Sequence, residues 1–444
     1  MTNTSQSAAR NAAPITERRF LLPFVLITSL FFLWAFGVNL NDILIPHLKK
    51  AFGLTDFQSS FIQVAFFGGY FLAAFPAGWL MERIGYKKGI LAGLSLCAAG
   101  AVLFLPASSI GVYAFFLFAL FAMACGQSFL EVAANPYVTI LGPAESSERR
   151  LNFAQSFNSV GAVLSPLIGR AFILTGVEYT PAQFAIMSAA QAQAYRADEA
   201  STVKLPYLLI AGIFFVVAVL IYFTHLPDVT ERAEHSRKFA AAAGDSVFAH
   251  AHLIKGVIAQ FFYVGAQVGV ASFVIRFAQH TVPGMTARVA AYYLLGHQIG
   301  FMSGRFAGSA LMKHIPAPRL LSVFAVGCLL CVSVALAANG IVPVWSVVLI
   351  GFFHSIMFPT IFALSIKNLG PLTKRGSSLL VMAIIGGAVF PAMMGRISDA
   401  TNIQTAFLVP LVCYIYILYF ALAGYRPAPA LQVETAIGVE AQRT

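Results

Sequence analysis

Charge is what this sequence has least of. Only 10% of its 444 residues are charged, 59% are hydrophobic, and the mean hydropathy is +0.80. A soluble domain carries about a quarter charged residues, so a water-soluble globule of this length is excluded. Acid is the scarcest charge: there are seventeen Asp and Glu in all, and none between Asp245 and Asp399. A second half without carboxylates leaves little for general acid–base or metal chemistry. Cysteine is sparse too. Cys97, Cys125, Cys328, Cys331 and Cys413 each sit in an apolar run, where a thiol packs as a small hydrophobe. Cys328 and Cys331 have CxxC spacing but no companion His or Cys, so neither a disulfide framework nor a metal site is expected.

What is present is apolar sequence in long runs, and the composition is that of a polytopic membrane protein. The formal net charge of +11 does not mark a nucleic-acid partner, because the basic residues fall in short clusters between apolar runs. The first 19 residues are polar and end in Glu17-Arg18-Arg19; they read as a retained cytoplasmic tail rather than a signal peptide.

A helix needs roughly 20 residues to cross a hydrocarbon core. Twelve runs satisfy this, near 21–44, 60–81, 89–106, 112–140, 151–176, 204–225, 253–280, 287–311, 319–338, 342–366, 376–397 and 402–424. Lys and Arg are unevenly shared between the two sets of loops. One set holds Arg18, Arg19, Arg83, Lys87, Lys88, Arg149, Arg150, Lys313, Arg319, Lys374, Arg375 and others; the opposite set holds Lys49, Lys50, Arg196, Lys204 and Arg288. The richer side is expected in the cytoplasm, with both termini. The organisation expected is an N-terminal tail (1–19), a six-helix bundle (20–225), a cytoplasmic linker (226–252), a second six-helix bundle (253–425) and a C-terminal tail (426–444).

The halves repeat each other. Leu141-Gly142-Pro143 and Leu369-Gly370-Pro371 occupy matching places, and GAVLSPLIGR (Gly161 to Arg170) matches GAVFPAMMGR (Gly387 to Arg396). The fold class read from this is an all-α membrane protein of two pseudo-symmetric six-helix bundles, an arrangement that places a transport site between repeats.

Two acids remain at membrane depth: Asp42 toward one end of span one, and Glu131 well inside span four. A charged side chain at mid-bilayer costs about 2.5–3.5 kcal/mol on insertion scales, and dry surroundings disfavour the ionised carboxylate. Such a group suits a proton that is taken up at one stage of a cycle and released at another. The structural alternative is a buried pair with a base; Arg170, Arg276, Arg305 and Arg396 are the candidates, each close to a helix end. Polar stripes accompany the acids: Gln127, Glu131 and Asn135; Asn39 and Asp42; Asn152, Gln155 and Asn158; Gln260, Tyr263 and Gln267. Lipid satisfies no amide, so these stripes face one another or a wet cavity. Any single amide serves equally as interhelical glue. Neutral donors and acceptors with Trp34 and Tyr263 as aromatic faces suit a neutral polyhydroxylated ligand. His297 and His354 read first as packed, hydrogen-bonded residues, and Pro136, Pro166, Pro359 and Pro391 as bends.

GWLMERIGYKK, Gly78 to Lys88, resembles the loop signature between spans two and three of the major facilitator superfamily, with Glu82 where Asp is commoner. NLNDIL, EVAANPYV, RLNFAQSFNSVGA, YVGAQ, PTIFALSIKNLG and GSSLLVMAIIGG are similar to the fucose–galactose–glucose:proton symporter family, over nearly the whole chain outside the tails, the linker and residues 177–203. The resemblance implies the major facilitator fold and proton-coupled import of L-fucose, glucose, galactose or N-acetylglucosamine, with no enzymatic activity. It implies Asp42 and Glu131 as proton-linked acids and Gln155 and Asn158 as sugar contacts. Ala271, Phe358 and Tyr292 depart from the Trp, Tyr and Asn of that family's fucose carriers, which leaves the particular sugar open. The full set of expected sugar contacts is Trp34, Asn39, Gln127, Glu131, Asn135, Gln155, Asn158, Gln260, Tyr263 and Gln267. No cofactor beyond the proton, no metal, no nucleic acid and no obligate protein partner is expected, and the carrier is read as a monomer in a bacterial inner membrane. Two rivals remain. Gly161, Ser165-Pro166 and Gly169 faintly match the glycine–proline signature of proton-coupled drug exporters, and a membrane enzyme acting on lipid-linked sugars is the reading from another class.

Overall fold

A computed structural model of the chain describes residues 13–52, 56–172, 187–188, 190–191, 194–195, 201–226 and 246–427; within its helices the side chains at 38, 40–47, 49–51, 56–57, 59–60, 166–172 and 287–288 lie outside the description. The expected linker is therefore outside it over residues 227–245, and so is the side chain of Asp42.

No strand occurs among the described residues. The rods are α1 (Leu21–Phe52), then Asp56–Val102, which Gly85 divides into α2 (56–84) and α3 (86–102). Gly85 takes φ 80°, ψ 171°, a conformation penalised by a Cβ, and this one residue reverses the chain between α2 and α3. A short helix, Phe104–Ile110, follows. Next come α4 (Tyr113–Ile140), α5 (Ser147–Phe172), α6 (Lys204–Phe223), α7 (Ala251–Thr281), α8 (Ala287–Leu311) and α9 (Ala317–Ala337). The last three are α10 (Ile341–Ser365), α11 (Gly370–Ala400) and α12 (Thr405–Gly424). These twelve rods fall on the twelve expected runs.

The last three are interrupted where the sequence reading had single helices. α10 stops at His354 and restarts at Met357. α11 passes through a 3₁₀ turn at Ala383–Ile385, and α12 ends in a π turn at Phe420–Gly424. In α11 the cause is a close crossing: a Cβ on Gly386 would stand 2.2 Å from the Phe261 carbonyl oxygen of α7. The backbones touch there, and only glycine permits it.

Large apolar side chains point outward, as bilayer solvent requires. On α6, Leu208, Leu209, Phe215, Val216, Tyr222 and Phe223 are all exposed. Nine stretches among the described residues are long and apolar enough to cross a membrane, and one of them, Phe61–Ile110, covers most of α2 and all of α3. The two rods outside that set are α5 and α8. Arg305 of α8 reaches Gln155 and Asn158 of α5, and Asn152 of α5 reaches Thr360 of α10.

The two halves meet at the end of the rods that carries the basic clusters. Arg375 of α11 pairs with Glu82 of α2 at 2.7 Å, and Lys374 donates to the Met81 carbonyl at 2.8 Å. Lys367, after α10, pairs with Glu148 of α5 at 2.8 Å. Asn152 Nδ2 donates to Thr360 Oγ1 at 3.1 Å, and Phe157 meets Phe306 edge-on at 6.3 Å. Gly78 lies so close to Ser378 that an added Cβ would overlap its hydroxyl. The matching turns of the repeat sit at this same end, where Ala144–Ser146 forms a 3₁₀ turn just ahead of α5 and Gly370–Leu372 forms one as the opening of α11.

Candidate functional site

The polar residues at the meeting of α4, α5, α7, α8 and α10 are joined into one chain. On α4 the spacing of four puts Gln127, Glu131 and Asn135 on one buried face. The Tyr70 hydroxyl of α2 and the Asn135 amide both lie against the Glu131 carboxyl. Asn135 Nδ2 donates back to the Glu131 carbonyl at 3.1 Å, which turns its Oδ1 toward α5. There it accepts from Gln155 Nε2 at 2.8 Å.

Gln155 carries the chain across to the second half. Arg305 Nη1 of α8 donates to the Gln155 backbone carbonyl, to Gln155 Oε1 at 3.3 Å and to Asn158 Oδ1 at 3.2 Å. Its Nε donates to the Ser355 carbonyl at 3.0 Å, and the guanidinium covers the Phe301 ring at 4.6 Å. Tyr263 of α7 donates to the His354 carbonyl at 3.1 Å and lies against Arg305. His354 Nε2 meets the Tyr414 hydroxyl at 2.7 Å, and His297 Nδ1 meets the Val347 carbonyl at 3.1 Å.

The supply of acceptors follows from the break in α10. In an unbroken helix the N–H of residue 359 would bond the carbonyl of residue 355, and Pro359 has no N–H. The Ser355 carbonyl is thereby left for Arg305. A freed carbonyl inside a membrane protein has to find a donor, since an unsatisfied buried group costs about 1–3 kcal/mol.

The expected residues are not all equivalent. Glu131, Asn135, Gln155 and Asn158 are brought together, with Tyr263 beside Arg305 at the far end of the same chain. Trp34 is buried and packs on Phe31 at 4.6 Å. Asn39 is half-buried and bonded back to the Ala35 carbonyl of its own helix at 2.7 Å. Gln127 and Gln260 are fully buried, and both amide atoms of each lack a hydrogen-bond partner among the described residues. Gln127 approaches α1, where a Cβ on Gly37 would stand 3.1 Å from its Nε2. Gln267 is half-buried.

Arg305 corrects the sequence reading. The sequence alone sets it among cations near helix ends, yet it is only 3% exposed and stands inside the polar chain. Arg276 and Arg396, by contrast, are exposed, and the Arg170 side chain lies outside the described residues. Glu131 and Arg305 act on each other electrostatically but form no ion pair among the described residues. Tyr70 was missed as well: one hydroxyl in the aromatic stretch FFGGYF gives no periodic signal. For Arg305 a signal existed in Pro359, which announces a free carbonyl four residues earlier without saying what fills it.

Chemically, the arrangement offers one carboxyl able to exchange a proton, one fixed cation and a row of amides. No group of three or more His, Cys, Asp or Glu suited to a metal occurs among the described residues.

Known proteins resemble the chain over most of its length. The family description Major Facilitator Superfamily matches residues 27–384. A protein of Brucella abortus biovar 1 (strain 9-941) named glucose/galactose transporter is 42% identical over 412 residues, 93% of this chain and 96% of that protein. The L-fucose-proton symporter of Escherichia coli K12 is 44% identical over 409 residues, 91% of this chain and 93% of the relative. A crystal structure of a Major Facilitator Superfamily transporter, FucP, in the outward conformation superposes with a TM-score of 0.82 at 43% identity, covering 91% of this chain and 99% of that one.

Proposed function

The chain belongs to the major facilitator superfamily, and from that premise we propose that it is a proton-coupled symporter importing a neutral monosaccharide. The observation that carries the reading is Glu131: a carboxyl 6% exposed, held by Tyr70 and Asn135, without an ion pair among the described residues, at the head of the amide chain that joins the halves. The names of the relatives, a glucose/galactose transporter and an L-fucose-proton symporter, support the same class of cargo. They are transporters, not enzymes.

In this reading Asp42 and Glu131 take up and release the proton. Asn39, Gln127, Asn135, Gln155, Asn158, Gln260 and Gln267 offer amides to sugar hydroxyls, and Trp34 and Tyr263 offer aromatic faces. Bundles 20–225 and 253–425, joined by the linker 226–252, rock about the site so that it opens to one side at a time. The contacts at the basic end keep that side shut in the conformation described. An ionised Glu131 in a closing, drying cleft opposes closure; protonation with sugar bound removes the opposition. The net charge moved inward gains about 2.3 kcal/mol per elementary charge per 100 mV. The carrier sits as a monomer in a bacterial inner membrane with both termini in the cytoplasm.

The test uses purified carrier in proteoliposomes with an imposed inward proton gradient. Labelled D-glucose, D-galactose, L-fucose and N-acetylglucosamine are offered with and without a protonophore. At least one sugar should accumulate above its external concentration, and the protonophore should abolish the excess. No uptake of any of them, or accumulation indifferent to protonophore, overturns the reading.

A further inference from the structure

Arg305 is a buried cation in the acid-free stretch between Asp245 and Asp399, and its hydrogen bonds go to the neutral oxygens of Ser355, Gln155 and Asn158. One side of its guanidinium is fixed to its own half, through Nε on the Ser355 carbonyl that Pro359 leaves open. The other side reaches into the first half, where Nη1 serves the Gln155 carbonyl, Gln155 Oε1 and Asn158 Oδ1. The two side-chain contacts are long for a charge-assisted bond, 3.3 and 3.2 Å, where about 2.7–2.9 Å is usual. Those amide oxygens are the loosest contacts and therefore the exchangeable part, while the Ser355 and Gln155 backbone carbonyls are the lasting part. Arg305 thus sits between two amides that the symporter reading gives to the sugar, with a planar fork of donors already aimed at where an oxygen would stand.

We propose that Arg305 determines sugar specificity by direct contact. In the empty carrier its guanidinium holds the Gln155 and Asn158 oxygens. When cargo enters, sugar hydroxyls donate to those oxygens in its place, and one sugar oxygen accepts from the freed guanidinium. The cargo must then present a donor and an acceptor on neighbouring carbons in one orientation. An epimer or deoxy sugar lacking that pair leaves a buried guanidinium short of an acceptor and is rejected. This inference rests on the symporter reading; a residue that only pinned the halves together would be blind to individual hydroxyls.

The experiment is sugar counterflow in proteoliposomes without a proton gradient, using whichever labelled monosaccharide the wild type exchanges, with its monodeoxy and deoxyfluoro analogues as competitors. Wild type should lose apparent affinity at least roughly tenfold for removal of one particular hydroxyl. In Arg305→Gln the KM for the parent sugar should rise by a similar factor, and the penalty at that hydroxyl should disappear while penalties at the others persist. Arg305→Lys keeps the charge but not the fork; it should lie between the two and serves if the Gln variant does not reconstitute. Equal penalties in wild type and variants at every hydroxyl overturn the proposal. So does failure of both variants to fold, which would make Arg305 a structural pin. If the wild type exchanges no sugar at all, it is the symporter reading that fails.

Discussion

A single carboxyl concentrates most of the chemistry of this molecule. At about 2.5–3.5 kcal/mol for a charge in mid-helix, Glu131 is tolerated because a phenol hydroxyl and an amide lie against it and lipid does not. Glutamine reproduces the protonated carboxyl in shape and hydrogen bonding. Glu131→Gln should therefore still catalyse sugar exchange across equilibrated vesicles within severalfold of wild type. Accumulation driven by a proton gradient should vanish. Side-by-side measurement of counterflow and gradient-driven uptake decides it, and preserved accumulation removes Glu131 from the coupling step. That residue was legible in the sequence because a lone acid in an apolar run has to be explained. Its partner Tyr70 was not, because an aromatic in such a run is ordinary. Arg305 was misplaced for a related reason: counting Lys and Arg to orient loops treats every cation as a terminal one. Nothing in the sequence says that α8 carries its arginine at the depth where α5 turns Gln155 and Asn158 toward it.

At the scale of elements, the twelve rods were legible because each must satisfy its backbone alone in lipid, so length and hydropathy speak for themselves. The break in α10 had a local mark in Pro359, read as a bend, whereas the interruption in α11 depends on a neighbour and was not legible. Gly386 illustrates why: its sequence context reads as an ordinary apolar span, yet the Phe261 carbonyl of α7 occupies the space of a Cβ. A backbone atom does not rotate away, so Gly386→Ala has to shift α7 against α11. Overpacking of this kind costs about 1–3 kcal/mol. The variant should unfold several degrees below wild type in detergent, followed by tryptophan or tyrosine fluorescence. Gly212→Ala on α6, with nothing within 4 Å of the new methyl, is the matched control and should melt with the parent. Equal melting of the two alanine variants would mean that the crossing relaxes freely and that the glycine is not what sets it.

Over the whole molecule, the closed basic end rests on two classes of polar contact between the halves, beside the apolar packing of Phe157 on Phe306. The ion pairs Glu82–Arg375 and Glu148–Lys367 are half in water, with 52% and 49% of the basic side chains exposed, so each contributes only about 0.2–1 kcal/mol. The neutral contacts, Lys374 on the Met81 carbonyl and Arg305 on Gln155 and Asn158, are more deeply set. Since the pairs join different rods, their removal should add. Arg375→Gln or Lys367→Gln alone shifts the opening equilibrium by roughly fivefold at most, and the double variant by roughly two- to thirtyfold. Ser378→Cys gives the readout, because that position is buried against Gly78 and becomes reachable only when α2 and α11 part. Its labelling by a water-soluble maleimide should accelerate in that order, and raising salt toward 1 M should speed the parent toward the double variant by screening the pairs. Labelling unchanged in the double variant would assign closure to the neutral and apolar contacts. The equilibrium between the two faces of the carrier would then be set by those contacts, with the surface charges as bystanders.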